Sequence, residues 1–191
     1  PEYASELGYD AGRLYGDEVL AMARATSTEL FGTEQLVKDF FRPYLYLDAT
    51  AIANKGLDRA AVARDIAREL AKQPGIGGAI ASADITQGGA TGVAAAVRHN
   101  YHPQRSGDIY LFQRPYWFMF DRGAVAAMHG SPWRYDTHVP IIFAGPGVEA
   151  GRVQRPVHPI DIAPTLSSLL NIAPPAAAEG SVLIEVFDQS P

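Results

Sequence analysis

The amino-acid sequence predicts an α/β fold, and three observations carry that expectation. Between Tyr44 and Gln113, β-prone and helix-prone stretches alternate; Val62, Ile66 and Leu70 recur every four residues along one helical face; and Val139-Pro140-Ile141-Ile142-Phe143-Ala144 is a continuous apolar run of the kind buried on both sides within a sheet. The order over residues 44–113 is β-α-β-α-β. That order predicts a small ferredoxin-like sandwich in which two helices cover one sheet face.

Each element has a local reason. Residues 3–40 are weakly patterned and interrupted by Gly8, Gly12, Gly16 and Gly32, with one helix-like stretch over 17–30 that sets Val19, Leu20, Met22 and Ala23 on a buried stripe. Tyr44-Leu45-Tyr46-Leu47 reads as a strand. After the turn at Asn54-Lys55-Gly56, Asp58 is placed to N-cap a helix running to about Lys72, which Gln73-Pro74-Gly75 stops. Residues 75–84 form the second strand, residues 88–97 a short small-residue helix or loop, and Ser106-Gly107-Asp108 a turn into the third strand over 109–113. From Arg114 the chain is aromatic and then loop-like up to His138. Gly145-Pro146-Gly147 ends the apolar run, and a helix over 159–170 follows, with Asp161 as N-cap and Pro164 in the first turn, where a missing N–H does no harm. Val182-Leu183-Ile184 reads as an edge strand.

Composition excludes several function classes. With no cysteine among 191 residues there is no disulfide framework, thiolate metal site or thiol nucleophile. A net charge of −5 argues against a nucleic-acid partner, which calls for a basic face. No apolar run approaches the roughly 18 residues needed for a membrane span. The opening Pro1-Glu2-Tyr3-Ala4 has neither an initiator methionine nor an export segment, and is expected to be a cut within a longer protein.

Among the five histidines, His99 and His102 sit in a polar loop, His158 precedes a proline turn, and His138 suits a backbone hydrogen bond just ahead of Val139. His129 differs. Gly130 lets the chain come close to a ligand, Pro132 fixes the following turn, and Trp133, Tyr135 and Asp136 follow directly ahead of the apolar run. The side chains of Tyr110, Phe112, Tyr116, Trp117, Phe118 and Phe120 are expected in the core, and Arg114 and Arg134 at the surface.

The run His129-Gly130-Ser131-Pro132-Trp133-Arg134-Tyr135-Asp136-Thr137-His138-Val139-Pro140, then Phe143-Ala144-Gly145-Pro146-Gly147 and Asp161-Ile162-Ala163-Pro164-Thr165-Leu166, is similar to the C-terminal part of the alkaline phosphatase superfamily. It most resembles the branch of periplasmic phosphate-irrepressible alkaline phosphatases and type I phosphodiesterase/nucleotide pyrophosphatases. Tyr44-Leu45-Tyr46-Leu47-Asp48, Lys55-Gly56-Leu57-Asp58 and Arg105-Ser106-Gly107-Asp108 share the likeness, which extends from about Phe41 to Leu183. The resemblance implies a zinc-dependent phosphoric ester hydrolase, with two zincs, a Thr or Ser nucleophile and a covalent phospho-enzyme. It matches His129 to the last metal ligand in the chain and assigns no catalytic residue here. The sequence departs from the family in holding no Asp-His pair, where the family's upstream ligands include an Asp-His-Gly motif.

The expected organisation is therefore an inserted ferredoxin-like α/β cap over residues 1–113, then, over 114–191, the C-terminal strands and helix of an alkaline-phosphatase-like α/β sandwich. The implied partners are a phosphate ester and the missing N-terminal part of the same enzyme, in the periplasm. The chain by itself is expected to be inactive and prone to self-association through exposed apolar surface. The alternative is a free-standing ferredoxin-like module that binds a small molecule or a protein without catalysis.

Overall fold

The computed structural model describes residue 4 and residues 6–85, 91–125 and 127–187. The chain forms two compact units, Pro1–His138 and Val139–Pro191.

In chain order the first unit contains β1 (Arg13–Tyr15), α1 (Gly16–Phe31), β2 (Val37–Phe41), β3 (Tyr44–Leu47), α2 (Ala49–Asn54), α3 (Arg59–Leu70), β4 (Ile76–Ala81), α4 (Ser82–Ile85), α5 (Val93–Asn100), β5 (Ile109–Gln113), β6 (Phe118–Phe120) and α6 (Arg134–Thr137). Four strands make one sheet in the order β2-β3-β5-β4, and every neighbouring pair is antiparallel. β3 and β4 thus run the same way on either side of β5, and α2 with α3 supplies the crossover that such a relation requires. The β-α-β-α-β order over 44–113 is present, in a ferredoxin-like antiparallel sheet. The predicted small-residue stretch over 88–97 forms a helix from Val93; its residues 88–90 lie outside the described residues.

The crossover helix forms for the reasons its sequence announces. The Asp58 carboxylate accepts from the Ala61 N–H at 2.7 Å, and Val62, Ile66 and Leu70 are buried beside Ala63 and Ala67. Asp108 then ties helix to sheet: it accepts from Arg59 Nε at 2.6 Å and from the backbone N–H of Leu47 at 2.8 Å.

The sheet is covered on both faces, which corrects the expectation of two helices on one. Leu45, Leu47, Ile109 and Leu111 pack with Val19 and Ala23 of α1 and with the apolar stripe of α3. Tyr44, Tyr110 and Phe112 turn the other way and pack with Ile85 and Val97 of α4 and α5. The cause is in the strands: YLYL and IYLF are apolar at every position, so the period-2 alternation leaves neither face fit for water. The first unit also runs past Gln113, because β6 pairs in parallel with β1 and Arg42 Nη1 donates to the Met119 carbonyl at 3.1 Å.

In the second unit a short 3₁₀ turn (Pro159–Asp161) leads into α7 (Ile162–Leu169), with Pro164 in its first turn as predicted. Asp161 is not the side-chain cap expected of it. Its carboxylate instead accepts from the backbone N–H groups of His158 and Ser181, both at 2.8 Å, which joins the start of the helix to the returning tail. Gly180 is required there, since a Cβ would collide with the Ile160 carbonyl.

Two strand predictions fail in this unit. Residues 139–144 form no regular secondary structure and pair with no strand among the described residues, and Val139 and Ile142 are 61% and 82% exposed. A run of apolar residues makes burial favourable but cannot supply the flanking strands it needs. Val182-Leu183-Ile184 is likewise no edge strand; a 3₁₀ turn occupies Ile184–Val186, and the pairing nearby is a single bridge between Val148 and Phe187.

Arg155 engages Glu185 with both donors of its fork, Nε to Oε1 and Nη2 to Oε2, the second at 2.9 Å. Arg155 thereby holds the Glu185 carboxyl down from 4.5 to about 2. A carboxyl lowered on folding favours the folded unit above its ordinary value and loses that contribution as pH falls from 4.5 through about 2. NMR titration of the Glu185 carboxyl carbon is expected to give a midpoint near 2, returning toward 4.5 in Arg155→Gln.

Candidate functional site

The segment from His129 to His138 is built from three anchors. Trp133 provides the first: its indole Nε1–H donates to the Gln113 carbonyl at 2.9 Å, and its ring meets Phe112 edge-on at 5.9 Å, which ties the segment to the end of β5. Asp136 provides the second, accepting from the backbone N–H of buried Ser131 at 2.5 Å. The third is α6 itself, whose last turn closes when the His138 N–H donates to the Arg134 carbonyl at 2.9 Å. Gly130 has φ +106°, a backbone region that favours glycine, and makes the turn that leads into this anchored loop.

His129 stands exposed just ahead of those anchors. Its imidazole is therefore accessible from solvent rather than packed in hydrocarbon, although the apolar run beyond it is not the buried strand predicted to support it. The other histidines stand apart from it in role. His138 is exposed and ends α6; His102 Nδ1 accepts from the Gln104 N–H at 3.2 Å within its own loop; His99 lies exposed near the end of α5; and the His158 backbone donates to Asp161. Arg114, expected to be solvated, pairs with Asp10 at 3.3 Å, and Arg134 is exposed. Tyr110 and Phe112 are buried as expected, Trp117, Phe118 and Phe120 are half-buried, and Tyr116 is exposed instead of being in the core.

Among the described residues, no three His, Cys, Asp or Glu side chains gather into a metal site. Asp136, the carboxylate next in the chain after His129, is already engaged by the Ser131 N–H. A catalytic zinc takes three protein ligands, so one imidazole does not make a site and the described residues alone do not fit a zinc ion.

Sequence reasoning missed the two anchors, Trp133 to Gln113 and Asp136 to Ser131. Periodicity carries no signal for such contacts, since neither pair belongs to one helix face or one strand.

Known proteins decide the family. Alkaline phosphatase PafA of Elizabethkingia meningoseptica is 30% identical over 159 residues, a stretch that covers 82% of this chain and 29% of that protein. A crystal structure of wild-type alkaline phosphatase PafA superposes with a TM-score of 0.81 at 26% identity, covering 97% of this chain and 35% of the other. The chain belongs to the alkaline phosphatase superfamily.

Its fold is a partial alkaline-phosphatase-like fold, and the chain spans about a third of the length of the relatives it matches. A protein named calcium-transporting ATPase from Myroides odoratus is also 29% identical over 163 residues, covering 83% of this chain and 29% of that one. No family model matches the chain. In this chain the segment around His129 is a structured loop with an accessible imidazole, held by β5 and α6.

Proposed function

We propose that this chain is the part of a zinc-dependent phosphoric ester hydrolase that supplies one metal ligand, His129, and the substrate-access cap over about residues 1–113. The supporting observation is the accessible His129 imidazole on a loop stiffened by Trp133 and Asp136. The remaining ligands and the nucleophile come from polypeptide outside these 191 residues, in keeping with the fraction of its relatives that the chain spans. The same polypeptide covers the exposed run over 139–144 with flanking strands. The substrate is a phosphate ester, a monoester or a diester, in keeping with relatives named alkaline phosphatases. The complete enzyme works in the periplasm, as the branch it resembles does.

A free-standing binding module would have no use for a rigid loop that ends in an exposed histidine, and this favours the enzyme reading. The test is hydrolysis of p-nitrophenyl phosphate with added zinc. The 191-residue chain alone is expected to release no nitrophenolate above the buffer rate, and the longer polypeptide to release it readily. Clear turnover by the short chain, or none by the long one, overturns the proposal.

A further inference from the structure

We infer that the leucine face of α7 is the seat on which the remaining polypeptide of the same enzyme packs, and that a latch between Asp161 and Thr165 keeps that face turned outward. A surface helix ordinarily buries its apolar stripe and shows its polar side to water. In α7 the two sides are exchanged. Thr165 and Ser167 are buried, at 0% and 5% exposure, whereas Leu166 and Leu170 keep 42% and 66% of their surface open to solvent. Ala163, Leu166 and the C-cap Leu170, spaced by three and four residues, form one exposed stripe, and Ile172 just beyond it is 59% exposed.

Directed hydrogen bonds hold the exchange in place. The Thr165 hydroxyl donates to the Asp161 carbonyl at 2.6 Å and accepts from the Leu183 N–H at 2.9 Å, and the Ser167 hydroxyl donates to the Ala163 carbonyl at 2.9 Å. The returning tail thus grips the polar side of the helix. Rolling α7 to bury its leucines would strip the Leu183 N–H of its acceptor, a loss that an apolar interior does not make good. Burial of leucine is favourable, so a helix that gives its covered side to a threonine and a serine keeps its leucines for another contact.

Two observations select the occupant. No residue from Ile162 to Ala178 carries a charge, so the face offers nothing to an acidic or basic partner and suits an uncharged, apolar surface. The superposition on alkaline phosphatase PafA takes in 97% of this chain but 35% of the other, which leaves most of that enzyme outside the matched part. That such a remainder accompanies this chain rests on the function proposed above; the orientation of α7 does not.

The experiment compares the 191-residue chain with the longer polypeptide, by methyl NMR in the presence of a soluble nitroxide and by thermal unfolding. The Leu166 and Leu170 methyl signals are expected to be strongly broadened by the nitroxide in the short chain and shielded from it in the long one. Leu170→Ala is expected to leave the thermal midpoint of the short chain within about 1 °C and to lower that of the long one by about 3 °C or more. In the short chain Thr165→Val is expected to shield both leucines as the helix rolls, and Thr165→Ser, which keeps the hydroxyl, to leave them open. Leucines equally open in the two polypeptides, or an equal Leu170→Ala shift in both, overturns the seat. Unchanged broadening in Thr165→Val overturns the latch. A concentration-dependent dimer of the short chain that Leu170→Asp dissolves, with the long polypeptide unmoved by Leu170→Ala, gives the face to a second copy and also overturns the seat. These readouts involve neither zinc nor an ester, so the two readings fail separately. Shielded leucines in a long polypeptide that hydrolyses nothing remove the phosphatase reading alone. Open leucines in an active one remove the seat alone.

Discussion

Replacing His129 by alanine in the longer polypeptide is expected to lower bound zinc and phosphate ester turnover together, the rate by at least about a hundredfold. Outer partners of metal ligands already cost 10- to 100-fold when lost, and a direct ligand is one of about three at an open catalytic zinc. In the proposed role the imidazole holds the ion and does not touch the ester, so the two readouts are expected to move together. Elemental analysis gives the zinc content and initial rates give the turnover. His138→Ala is the matched control: that residue is exposed, and its backbone rather than its ring closes α6, so both readouts are expected to stay within about twofold of the parent. Zinc stoichiometry unchanged in His129→Ala would remove the ligand assignment.

The second large effect is on stability. Leu111 is fully buried at 0% exposure on β5, one of the two inner strands of the sheet, and packs with α1 and α3 residues in the aliphatic core. Leu111→Ala removes its buried methyl groups and leaves a void that β3 and β4 cannot close, at a cost of about 2–5 kcal/mol. For a chain of this size that lowers the thermal midpoint of the first unit by about 5–15 °C. Phe41, on the outer strand and 76% exposed, is the contrast: Phe41→Ala is expected to change stability by less than about 0.5 kcal/mol. Urea unfolding of the two variants, followed by far-ultraviolet circular dichroism, checks both. Similar midpoints for the pair would mean that β5 is not the centre of the core.

How far the sequence could be read depended on whether the information was local. Helix α3 was legible to within two residues at its far end because Asp58, Val62, Ile66 and Leu70 each make a contact that spacing along one helix dictates. Strands β3 and β5 were legible for the same reason. Strand β2 was not: Val37-Lys38-Asp39-Phe40-Phe41 mixes charges with aromatics because it forms one edge of the sheet, and Phe41 points into solvent. The covering of both sheet faces was implicit in YLYL and IYLF but went unread, since the residues that cover the second face lie in α4 and α5. Residues 139–144 show the converse. Their hydrophobicity states what they would gain by burial, and nothing in the run says where the burying partners are. At the site, the motif opened by His129 was visible in the residues themselves, whereas the contact of Trp133 with Gln113 exists only once the chain has folded.

The contact of Trp133 with Gln113 has a practical side. The chain has two tryptophans, Trp117 and Trp133, and the second hangs the motif loop from the sheet by its indole N–H. With Trp117 changed to phenylalanine, all remaining indole emission comes from the loop that bears His129. A red shift then reports that the loop has come away from β5 and let water reach the ring, so its docking becomes a colour that can be followed in real time without any attached dye.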